Sequence, residues 1–194
     1  QPPVPVTIAA VGPHMLKLAG EVCDGVHLHP FCTRAYIEEV ATPRIEIGLA
    51  ESGTPRDAFQ IAGGGFVATG ETDEEVARVL EWVRYRIAFY GSTPSYWPVL
   101  EHHDLGDLGR KLNSMTKAGL WDELAAEISD DVLSLFAAFG RFDQIAASVE
   151  QRFGGAIDML YASLSSDNLP AIPSDVLQDI QRVSTPFKGF RTLW

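Results

Sequence analysis

VTIAAVGPHMLKLAGEVCDGVHLHPF, residues Val6 to Phe31, decides the fold of this chain. Val6–Ala10 is a short apolar run rich in β-branched residues, which reads as a strand. Gly12-Pro13 breaks it. Met15, Leu18, Ala19 and Val22 then recur at helical spacing, and Gly25–His29 is a second extended run. Two strands joined by a helix of this length call for parallel pairing with a crossover. In such units ligands sit beyond the carboxyl ends of the strands. Chemistry is therefore expected at Val11, Gly12, Pro13, His14 and Met15, and at His29 to Phe31.

Downstream, Ala35–Val40 and Arg44–Ala50 read as helical, with Pro43 kinking or dividing them. Phe59–Ala68 is a third strand, with a bulge expected at Gly63-Gly64-Gly65. Thr72 and Glu75 form a capping box, opening a helix that runs to about Phe89 with Val76, Val79, Leu80, Val83 and Ile87 on one face. Gly91–Pro98 reads as a loop. Helices follow at about Leu105–Lys117, Trp121–Ile128, Asp131–Ala138, Asp143–Phe153 and Ser174–Val183, with Gly119 and Gly140 placed as helix C-terminal glycines. Ile157–Ala162 is the fourth strand. Four strands interleaved with helices specify an α/β fold with a parallel sheet.

The chain has 194 residues, 46% hydrophobic and 21% charged, enough for one domain with a core. A closed eight-stranded barrel needs about 250 residues, so this chain is too short for one. Fifteen basic against 26 acidic residues give a net charge of −11. That argues against nucleic acid and anionic membrane surfaces as partners, since both need clustered Lys and Arg. It leaves phosphorylated ligands open, because backbone N–H groups bind phosphate without net positive charge. No run of about 18 apolar residues is present, so no membrane-spanning helix is expected. Cys23 and Cys32 read as reduced thiols of a cytoplasmic protein. The start at Gln1, one step from a strand, reads as that of a fragment.

The same segments resemble the bacterial-luciferase-like oxidoreductases, in particular the branch that uses a deazaflavin, coenzyme F-420. The resembling residues are Ala9-Ala10-Val11-Gly12-Pro13-His14-Met15-Leu16, Leu18-Ala19-Gly20-Glu21-Val22, Asp24-Gly25-Val26 and His29-Pro30-Phe31. Phe66-Val67-Ala68-Thr69-Gly70 with Thr72-Asp73-Glu74-Glu75, and Ile87-Ala88-Phe89-Tyr90-Gly91-Ser92-Thr93-Pro94, extend it. The pieces come in the family's order, from about Val4 to Tyr161. The resemblance implies the C-terminal half of a TIM-type (β/α) barrel, strands five to eight, with extra helices before the last strand. It also implies hydride transfer to or from a small organic substrate. Val11, Gly12, Pro13, His14 and Met15 would then steady the phosphate-bearing tail of F-420, with FMN as the alternative cofactor. His29 and Phe31 would line the substrate side. The family's proton donor and ring-holding residues would lie in the absent half, so no catalytic residue is assigned. Residues 1–194 are expected to form one half-barrel domain, part of a longer chain or completed by a companion half or a second copy.

Two other readings stand beside this one. The chain could be a non-catalytic truncated half that only associates with a partner. Alternatively, His27 and His29, two apart on a strand and so on one face, could bind a divalent metal in a barrel hydrolase resembling the amidohydrolases. That reading lacks a carboxylate at the end of the last strand, because Asp158 lies at its start. No metal is expected. Phe89, Tyr90, Tyr96 and Trp97 could cover a flat ring, Thr69 and Gly70 would face the barrel mouth, and Arg141 could meet an anion at a helix start.

Overall fold

Strand β1 (Thr7–Ala10), helix α1 (Pro13–Val22) and strand β2 (Gly25–Leu28) follow one another as the sequence predicts. The computed structural model describes residues 4–162 and 171–190. Beyond β2 come helix α2 (Arg34–Tyr36), a π-helical turn (Ile37–Ala41) and helix α3 (Thr42–Ser52), which form one rod. The π turn directly precedes Pro43. There the Thr42 N–H donates to the Ile37 carbonyl, one residue farther back than in an α-helix. A regular turn would press the proline ring against the carbonyl four residues earlier, and the wider turn relieves it. Pro43 therefore marks a change of winding within a continuous rod.

Strand β3 (Gln60–Gly63) completes a parallel sheet of order β1-β2-β3, with Ala9, His27 and Ala62 in register. The expected third strand splits here. Gly63 and Gly64 have φ of +88° and +90°, a region open to glycine, and they carry the chain out of the first sheet. Phe66–Gly70 becomes β4, which pairs in parallel with β5 (Ala137–Arg141) in a second, two-stranded sheet. The helix expected over Asp131–Ala138 thus ends at Phe136, and Gly140 lies within a strand instead of closing a helix. Ile157–Ala162 makes one isolated parallel bridge, Met159 to Ala62, in place of a full strand.

Between β4 and β5 lie helices α4 (Asp73–Gly91), α5 (Trp97–Glu101), α6 (Gly106–Lys117) and α7 (Asp130–Phe136), with 3₁₀ turns at Pro94–Tyr96 and Trp121–Glu127. Thr72 caps α4 by accepting the Glu75 N–H, while the Glu75 carboxylate takes the Glu71 N–H. Val76, Val79, Val83 and Ile87 are the buried face of α4. Helices α8 (Ile145–Phe153) and α9 (Ser174–Ile180) close the described fold. Phe31, Phe59, Phe66, Phe136 and Phe153 fill the core. No described helix is long and apolar enough to cross a membrane.

Candidate functional site

The carboxyl ends of β1 and β2 lie side by side, and the loops after them bring the two predicted clusters together. Gly12 caps α1 with extended backbone (φ −89°, ψ 159°), and Pro13 opens the helix. The Gly12 carbonyl accepts the Leu16 N–H, whereas the His14 and Met15 N–H groups have no partner among the described residues. Val11, Pro13, His14 and Met15 are exposed. No acidic side chain lies in the first turn of α1, and a side chain on Gly12 would meet nothing within 4 Å. Free N–H groups at the positive end of a helix dipole, with open space in front, suit a phosphate.

Across from this turn, His29 is half-buried between two tyrosines. Its ring sits edge-on to Tyr90 and tilted against Tyr96, each at 4.5 Å between centroids. Nδ1 accepts the Phe31 N–H at 3.0 Å, which fixes the ring and leaves Nε2 to carry the proton of the neutral form. Burial holds this imidazole below its ordinary value. Phe31 itself is 1% exposed and stacks on Phe136 at 4.6 Å, so it supports the site from within the core. A small cavity of ≈20 Å³ is bordered by Val11, Leu16, His29, Phe31 and Tyr36, joining the two clusters. His14 stands outside it on the helix surface.

Other candidates are placed differently. His27 lies within β2 and its Nδ1 meets the Tyr161 hydroxyl at 2.7 Å, whereas His29 follows the strand and packs between Tyr90 and Tyr96. Among the described residues no group of three or more His, Cys, Asp or Glu is arranged to hold a metal ion. Thr69 and Gly70 end β4 in the second sheet. Arg141 pairs with Asp73 and Asp143, both at 3.5 Å, on the wall of an acid-lined cleft. Trp97 donates its indole N–H to the Gly91 carbonyl and holds a turn, whereas Phe89 packs on Trp121. The contact between Tyr161 and His27 spans 134 residues, and no local pattern announces it.

The model of the family described as luciferase-like monooxygenase matches residues 1–158. The chain belongs to the luciferase-like monooxygenase family. An uncharacterized protein of Mycobacterium tuberculosis is 41% identical over 181 residues, covering 93% of this chain and 53% of that protein. The 5,10-methylenetetrahydromethanopterin reductase of Archaeoglobus fulgidus is 30% identical over 155 residues, 76% of this chain and 44% of the reductase. The chain thus spans about half the length of the curated relatives it matches. Its fold is similar to that of the coenzyme F-420-dependent tetrahydromethanopterin reductase from Methanopyrus kandleri. There the TM-score is 0.70 and the identity 20%, over 93% of this chain and 50% of that one. A second neighbour in fold is an F-420-dependent secondary alcohol dehydrogenase in complex with an F-420–acetone adduct. It has a TM-score of 0.57 and 15% identity, over 92% of this chain and 49% of that one.

Proposed function

We propose that this chain is the C-terminal half of a (β/α) barrel oxidoreductase that binds coenzyme F-420 at the Val11–Met15 turn. The observation that carries the reading is the uncapped start of α1: two N–H groups unpartnered among the described residues, no acidic residue in the first turn and open space at Gly12. The kinship with a methylenetetrahydromethanopterin reductase, and the fold shared with a coenzyme F-420-dependent tetrahydromethanopterin reductase, point the same way. A bound deazaflavin supplies hydride chemistry, a pair of electrons moved with one proton. The chain's part is to hold and to shield. The His14 and Met15 N–H groups donate to the tail phosphate. His29, neutral and wedged between Tyr90 and Tyr96, presents a fixed Nε2–H toward the substrate side. The aromatic rings around it keep water from the reacting face. FMN, which shares the phosphate, is the alternative cofactor.

A half barrel leaves surfaces for a companion, and such surfaces are present. Strand β1 has no neighbour on its outer edge among the described strands. Beside it α1 exposes Met15 (42%), Leu18 (39%) and Val22 (69%), an apolar stripe at helical spacing. A preceding half, carried on the same chain or supplied by a partner, would cover both edge and stripe. The substrate is a small organic molecule whose identity follows from the whole barrel.

The test is a fluorescence titration with F-420 and with FMN, using this chain alone and joined to a preceding barrel half. Saturable binding of F-420 by the joined assembly supports the proposal, and preference for FMN reassigns the cofactor. If neither binds to any assembly, the chain is a non-catalytic partner. Stoichiometric zinc in the purified protein would instead favour the hydrolase reading through His27 and His29.

A further inference from the structure

Arg152, near the C-terminal end of α8, is 8% exposed and poorly satisfied. Its Nη2 donates to the Cys32 carbonyl at 3.0 Å, but Nε and Nη1 are buried with no hydrogen-bond partner among the described residues. The Phe153 ring covers one face of the guanidinium at 5.0 Å and takes none of its N–H groups. Burial lowers its pKa to about 10, so it remains a cation at neutral pH. A buried guanidinium has five donors and a charge to satisfy, and leaving them unmatched is costly.

The side chain forms part of the wall of a cavity of ≈300 Å³. Thr33, Arg34, Glu38, His103 and Ser134 line the same cavity. The neighbouring charges are already taken. Arg34 pairs through Nε with Glu38 at 2.8 Å and donates to the carbonyls of Gln151 and Gly154. Glu39, also on the wall, meets His102 at 3.3 Å. His103 shares a 2.7 Å hydrogen bond with Thr33 Oγ1, and burial and the nearby Arg152 charge favour its neutral form. Ser134 donates to the Asp130 carbonyl. No protein carboxylate pairs with Arg152 among the described residues, although a cavity stands beside it.

We propose that this cavity is an anion site in which Arg152 receives a small oxyanion, the phosphate or carboxylate group of a ligand. The site is separate from the Val11–Met15 turn and does not depend on the redox reading. Glu38 and Glu39 on the wall disfavour a polyanion, so a singly or doubly charged group fits best. The loop that carries Cys32 and Thr33 continues from His29, so an anion held here would also stiffen the carboxyl end of β2.

Calorimetric titration of the whole chain with inorganic phosphate, and separately with acetate, tests the site. Saturable binding of phosphate, acetate or both is expected, and the stronger of the two names the ligand group. Arg152→Gln should weaken that binding at least about tenfold. Ser134→Asp, which keeps Arg152 but places a carboxylate on the cavity wall, should weaken it comparably and carries the test if the first variant does not fold. Arg141→Gln, in the separate acid-lined cleft, should leave affinity unchanged. Absence of binding by the wild type, or affinity unaltered in either folded variant, overturns the proposal.

Discussion

Gly20 of α1 and Gly48 of α3 face each other where the two helices cross. A methyl group on Gly20 would overlap the Ile45 carbonyl oxygen and lie 2.9 Å from the Leu49 nitrogen. One on Gly48 would overlap the Lys17 carbonyl oxygen and lie 2.8 Å from the Glu21 nitrogen. Neither obstacle is a flexible side chain, so the helices themselves would have to separate. Glycine normally costs a helix about 1 kcal/mol relative to alanine, yet here backbone contact outweighs that gain. Gly20→Ala and Gly48→Ala are each expected to destabilise by roughly 1–3 kcal/mol in urea unfolding. The double variant should lose less than the sum, because one widened crossing accommodates both methyl groups.

A second prediction concerns Asp158, whose side chain is fully buried. It accepts the Ile61 N–H at 2.7 Å and the Phe187 N–H at 3.1 Å, takes the Thr185 hydroxyl, and pairs with Arg56 at 2.9 Å. One carboxylate thus ties strand β3 to the segment after α9. Its place at the start of the last extended segment, where the sequence also puts it, suits this structural duty and not catalysis. Asp158→Ala leaves three donors and part of the half-buried Arg56 cation unmatched, and should cost about 2–4 kcal/mol. Asp158→Asn, which preserves shape and some acceptors, should cost less. Urea denaturation measures both, and limited proteolysis near Phe187 should show the released segment.

The pH dependence of stability follows from His29. Burial lowers its folded value, while the unfolded chain titrates at the ordinary 6.5. Between those values the unfolded state binds more protons, so stability rises with pH there. The contribution is complete above pH 6.5 and is lost as the pH falls through the folded value. His103 is shifted in the same direction, first by burial, and adds to the same slope. His29→Gln keeps a hydrogen-bond acceptor for Phe31 and removes the titration. The variant should show a shallower decline in urea midpoint on acidification below pH 6.5 than the wild type, measured at several pH values.

Local sequence carried the first βαβ unit and most helices, because apolar periodicity and capping residues act within one turn. Thr72 with Glu75 and the valine face of α4 are cases of this. What it missed depends on distant partners. Ala137-Ala138 continue a helical pattern, and only pairing with Phe66-Val67, some 70 residues earlier, draws them into a strand. Gly63–Gly65 marked an expected bulge in one third strand, but not that its two parts enter different sheets. The loops after β1 and β2, where the proposed site lies, were legible because they follow from the strand-helix-strand pattern. Phe31 belongs to the core because Phe136 arrives from the far side of the chain. Arg152 looks like the solvated end of an amphipathic helix until the Cys32 loop, 120 residues away in sequence, buries it.

The proposed role of Gly12 separates binding from folding. Its φ of −89° is open to any residue, and a side chain there meets nothing within 4 Å. Aspartate is among the best helix-capping residues and would accept the free N–H groups of the first turn. Gly12→Asp should therefore leave stability unchanged or raise it by a few tenths of a kcal/mol. The same carboxylate would occupy the donors intended for phosphate and repel it. At 4 Å two unit charges in a partly screened setting interact by about 4 kcal/mol, enough to weaken binding well beyond tenfold. F-420 titration of the assembled barrel should show at least that loss, with FMN affected equally because the phosphate is common to both. Unchanged affinity alongside unchanged stability would place the cofactor tail elsewhere.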